Sequence, residues 1–170
     1  MNTRLKLITA SFISLIILSP ILAAEEQPAM VNVKRMSLDM AILAARATID
    51  ACRKEGVQVA VTIIDRGGHP QVVLRDVLAM DLTLTISKQK AYTAMSFNSA
   101  TSGLTGRFTD PFSIGKVKGL VVSAGGLPIN VGGNILGGIG VSGAPSGETD
   151  EKCAQTGLDA ILDDLEMASE

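Results

Sequence analysis

Eleven of the chain's 17 glycines crowd between positions 115 and 147, where they fence off apolar runs at residues 119–123, 127–131 and 135–142. Runs this short and glycine-bounded fit strands better than helices, because glycine inside a helix costs about 1 kcal/mol relative to alanine, whereas between strands it supplies turns. The C-terminal half therefore reads as three antiparallel strands. Two explanations for the glycine density stay open. One is turn chemistry with close helix-on-sheet packing; the other is a ligand surface on which unshielded backbone amides meet a flat or anionic group.

Upstream, Leu38, Ile42, Ala45, Ile49 and Cys52 recur at steps of four and three, predicting an amphipathic helix that begins at Ser37 and stops at Gly56. Val57, Val59, Val61 and Ile63 alternate as a strand, residues 65–70 turn, and residues 71–75 return as the second strand of a hairpin. A second helix is expected over residues 82–98, then a loop with one helical turn over 99–114. Ala154, Leu158, Ile161, Leu162 and Leu165 mark a last helix, capped by Thr149, with Glu148, Asp150 and Glu151 at its positive end. The order helix, two strands, helix, three strands, helix predicts an α/β (α+β) domain whose five-stranded antiparallel sheet is covered by helices.

Arg4 and Lys6 precede an uncharged, largely apolar run over residues 7–18, and Leu22, Ala23 and Ala24 follow. This is the pattern of a secretory signal peptide, short of the roughly 20 residues that span a bilayer. Residues 1–24 are expected to be that signal, 25–36 an extended lead-in without chemistry, and 37–168 one domain, periplasmic or secreted and free of the membrane after cleavage. Setting aside Arg4 and Lys6 from the 15 basic residues leaves 13 against 17 acidic ones, a balance of −4. With no basic cluster, no Trp and a single Tyr, the composition argues against nucleic acid as a partner. Cys52 and Cys153 fall in the first and last helices, where a disulfide and two small buried apolar residues are both open readings.

Chemistry-bearing motifs are sparse. Residues 137–143 lack the spacing and the strand-crossover-strand context of a dinucleotide loop, there is no phosphate loop, and no Gly-x-Ser-x-Gly elbow surrounds a serine. His69, the one histidine, sits in the hairpin turn: an ordinary polar turn residue, a pH-responsive contact, or a metal ligand in the form of a single axial ligand to haem iron. Asp65 and Asp76 flank the hairpin as a carboxylate pair or as solvated ends. Lys90 would either reach water or pair with a propionate.

Residues 61–69, Arg75 with Asp76, residues 90–94, residues 125–129 and residues 139–143, followed by Asp150 and Glu151, together resemble the GlcG/HbpS family across the whole expected domain. The resemblance implies a profilin-like fold in α/β/α layers and self-assembly as a homo-oligomer. It also implies haem as a cofactor, with haem binding or degradation as the activity, and it extends to the last domain of PduO-type corrinoid adenosyltransferases. On this basis the expected function is an exported small-ligand binder that handles haem through His69. The alternative is a non-haem accessory module that binds a small organic acid or cofactor through Arg75, Lys90 and the turn of Gly125, Gly126 and Pro128. No catalytic residue is assigned.

Overall fold

Ser37 starts the first helix by accepting the backbone N–H of Met40 at 3.3 Å, and α1 then runs over Leu38–Lys54. Its buried face consists of Ala41, Ala44, Ala45, Thr48, Ile49 and Cys52, whereas Leu38 and Ile42, expected inside, are 55% and 44% exposed. The reason is distance. The last helix, α3 (Gly147–Met167), lies so close that a Cβ on Gly157 would strike Thr48 and Ala44, so the seam admits small residues. In this computed structural model, which describes residues 28–169, Cys52 and Cys153 are joined across the same seam as a disulfide with Cα atoms 5.5 Å apart. The expected signal peptide lies outside the described residues. Ser146 rather than Thr149 caps α3, its Oγ accepting the Thr149 N–H at 3.2 Å.

The strands are β1 (Ala60–Asp65), β2 (Pro70–Arg75), β3 (Gly126–Val131) and β4 (Asn134–Ser142), paired antiparallel in the order β2-β1-β4-β3. The sheet thus has four strands where five were expected. Residues 119–123 stay out of it because side chains occupy their backbone groups: Val121 N–H donates to Thr93 Oγ1 at 3.0 Å, and Val122 O accepts from Thr105 Oγ1 at 3.1 Å. The neighbouring β3 is accordingly an edge strand, the position that tolerates Pro128 with its missing N–H.

The two sheet faces carry opposite residue sets. Val61, Ile63, Ile139 and Val141 point to α1 and α3 and form the apolar core with Ile129, Ile161 and Met36, the last residue of the lead-in. Ala60, Thr62, Gly138 and Gly140 face the other way, toward α2 (Leu82–Phe97). That helix approaches main chain to main chain. A Cβ at Gly138 would lie 2.5 Å from Ala91 O, one at Gly126 would lie 2.5 Å from Lys90 O, and one at Gly140 would run into Ser87 O. The glycine density is therefore part helix-on-sheet packing, where α2 covers the bared main chain, and part turn chemistry, as at Gly132 and Gly133 with φ of +55° and +75° between β3 and β4.

Candidate functional site: an open cleft beside α2

Because α2 settles over β4 and its glycines, the hairpin side of the same face is left partly uncovered. A cleft of about 750 Å3 opens there, within the range of about 300–1,000 Å3 usual for small-ligand sites. Thr62 of β1 lies at its base, where its hydroxyl and that of Ser87 are 2.8 Å apart, and Val73 of β2 adds an apolar floor. Along the helix, Thr85, Lys88, Gln89 and Tyr92 line the wall at spacings of three and four, one face of a helix, with Leu84 beside them. Lys118 and, from the segment expected to be a strand, Gly119 form the opposite rim. Gly68 closes the end: its φ of +83° suits glycine, and a Cβ there would lie 2.8 Å from the Tyr92 ring. The result is a groove of mixed lining, in which Val73, Leu84 and Tyr92 supply apolar surface and Lys88 and Lys118 two cations among Thr62, Thr85 and Gln89. None of the lining side chains was expected in a site from the sequence, although the Thr85, Lys88 and Tyr92 spacing was there to be read.

The residues singled out from sequence do not converge. His69 lies across the sheet from the cleft: Asp65 continues the Val61, Ile63 alternation on the α1 side, and its Oδ1 accepts the N–H groups of Gly67 at 2.8 Å and His69 at 2.9 Å. The imidazole Nδ1 stands 3.5 Å from the same oxygen, with Arg35 at 3.5 Å from the other one, and the His69 side chain is 82% exposed. The backbone N–H of His69, then that of Gly67, holds the Asp65 carboxyl below its ordinary pKa. Asp76 sits at the far end of the hairpin, gripped by Arg53 Nε at 2.7 Å and Nη2 at 3.0 Å, which lowers its pKa too. The two carboxylates are thus separate structural anchors and not a pair. Arg75 donates to Ala79 O. Pro128 occupies the opposite edge strand from Arg75.

Lys90, Gly125 and Gly126 do come together, in the interior. Lys90 Nζ donates to Asp150 Oδ2 at 2.8 Å and to Val141 O at 3.0 Å, with both charged side chains about 95% buried. Neither expected role for Lys90, reaching water or pairing with a propionate, is the one it takes. Burial pushes the Asp150 carboxyl above its ordinary pKa, while Lys90 and the Ala144 N–H pull it back. Glu151 accepts from Gly125 N at 3.1 Å and from Ser102, tying the start of β3 to α3. Gly126 N–H donates to Thr101 Oγ1 at 2.8 Å. These groups hold the fold. Among the described residues no three His, Cys, Asp or Glu side chains gather as a metal site, and no helix is long and apolar enough to cross a membrane.

Fold and cleft define a small α+β domain, one antiparallel sheet between a helix pair and a single helix, with a groove open on the single-helix side. Residues 36–159 match the family model described as haem degrading protein HbpS-like, and the chain belongs to that family. A double mutant of HbpS from Streptomyces reticuli has a similar crystal structure, with 35% identity, a TM-score of 0.75 and coverage of 81% of this chain and 94% of that one. A structure described as a PduOC:heme complex is 28% identical over 75% of this chain and 96% of that chain, at a TM-score of 0.68. An uncharacterized 15.0 kDa protein of the dhaT-dhaS intergenic region of Citrobacter freundii is 31% identical over 110 residues, 62% of this chain and 77% of that protein.

Proposed function

We propose that this is an exported haem-binding protein that receives the porphyrin in the cleft beside α2. The observation that carries the reading is the composition of that cleft: Val73, Leu84 and Tyr92 offer apolar surface and Lys88 and Lys118 two cations along one groove, in a chain of the HbpS-like family. A flat apolar ring with two carboxylates matches those parts, the apolar side chains meeting the ring and the ammonium groups pairing with the propionates. When bound, haem would supply iron for redox or oxygen chemistry, and the chain's residues would hold it and tune its iron. Adding hemin to the purified mature protein should give a saturable Soret shift at one equivalent; a linear, non-saturating change refutes the assignment. The alternative of an organic-acid module loses support, since Lys90 is buried against Asp150 and Arg75 lies on the opposite edge strand from Pro128.

Export rests on the signal-like residues 1–24 and is supported by the buried disulfide, a bond that persists in oxidising compartments. Intact mass of the protein recovered from the periplasm or medium should correspond to a chain starting near Glu25. Self-association is supported by the loop leading into α2, where Val77, Leu78, Met80 and Leu82 are all more exposed than buried. Sedimentation should give a mass above that of one chain.

A further inference from the structure

If the cleft takes haem, a protein ligand to its iron would come from the cleft lining, and the one histidine is on the other face of the sheet. We propose that Tyr92 supplies the ligand through its phenolate oxygen; this rests on the haem reading above. His69 is held with Asp65 and Arg35 on the α1 side, whereas the cleft is built on Thr62 and Val73, which face α2. Among the polar groups lining the cleft, Thr62 is committed to Ser87, and Lys88 and Lys118 carry ammonium heads with no acceptor lone pair. Thr85 and Gln89 offer neutral oxygens, weak donors to ferric iron. Tyrosinate is an established protein ligand to haem iron.

Tyr92 is also positioned for the task. Its ring edge is packed under Gly68, which admits it only because that residue lacks a Cβ, while 42% of the residue remains exposed. Lys88 stands one helical turn before it on the same wall, with Lys118 on the opposite rim. On ligation the phenol O–H bond breaks, its proton passes to water, and the oxygen's electron pair forms the bond to ferric iron, with no change of oxidation state.

The test uses the mature protein loaded with ferric hemin. Wild type should show a high-spin spectrum with a phenolate-to-iron charge-transfer band and tyrosinate ring modes in resonance Raman. Tyr92→Phe should lose both and bind hemin at least about tenfold more weakly. Tyr92→His should restore tight binding with an imidazole-type spectrum, which also shows that the site survives substitution. His69→Ala should leave the spectrum unchanged. An unchanged Tyr92→Phe spectrum, or its loss in His69→Ala, overturns the ligand assignment while leaving haem binding intact; a wild type that shows no saturable Soret shift removes both.

Discussion

The two faces of the sheet are closed by different means. On the α1 and α3 face, side chains fill the space: Val61, Ile63, Ile139 and Val141 meet Ile49, Ile161 and the Cys52–Cys153 bridge. On the α2 face there is little side chain to pack, since Gly126, Gly138 and Gly140 let Ser87, Lys90 and Ala91 rest on the strands. The first arrangement covers the sheet and leaves beside α3 hollows of about 180 and 240 Å3. The second fixes the helix over β4, and because one helix cannot also cover the hairpin, the uncovered part becomes a cleft. The difference teaches that the glycines create the cleft indirectly, by deciding where the helix sits.

This contrast can be broken experimentally, beginning with the largest effect. Replacing both cysteines by alanine opens a link between residues 101 apart in sequence, and a loop of that size corresponds to about 4–5 kcal/mol of unfolding free energy in the loop-entropy account. Urea unfolding measures it; a loss below about 1 kcal/mol would mean that packing alone closes the first face. Lys90→Met strands the buried Asp150 carboxylate and should cost about 3–5 kcal/mol, while the double variant Lys90→Met with Asp150→Leu should recover much of that loss.

Ile139 and Gly140 are adjacent yet face opposite layers, so a pair of small changes compares the faces directly. Gly140→Ala adds one methyl against Ser87 O and should cost about 1–3 kcal/mol, whereas Ile139→Val removes one methyl and should cost about 0.5–1.5 kcal/mol. The variants should also differ in ligand binding, because only Gly140→Ala displaces α2. The smallest effect concerns acid. Asp65 and Asp76 have folded-state pKa values below the ordinary 3.8, so the stability they add is complete above that pH and fades as pH falls through the lowered values. Asp76→Asn should flatten the acid limb of a melting-temperature profile and leave its neutral plateau lower than wild type.

What could be read from the sequence follows the same division. The hairpin, α1, α3 and the strands around residues 129 and 138 were legible because period and turn chemistry act locally. Leu38 and Ile42 were placed inside because a stripe of large residues normally faces the core, and only the close approach of Gly157 shows that alanines do so here. Residues 119–123 have a strand's composition, but Thr93 and Thr105, distant in sequence, take their backbone groups. Lys90 looked like a surface cation since its partner Asp150 is 60 residues away. The cleft was hidden for the same reason: Val73, Tyr92 and Lys118 meet only after α2 has found its glycines.

Ferric haem is paramagnetic and broadens the NMR signals of nearby nuclei, so substoichiometric hemin added to isotope-labelled mature protein locates its site directly. The account predicts selective loss of amide signals around Gly68, Val73, Leu84, Lys88, Tyr92 and Lys118, with those of Asn130 and Leu158 on the β3 side intact. Broadening centred on the β3 side, or spread evenly over the surface, would contradict it.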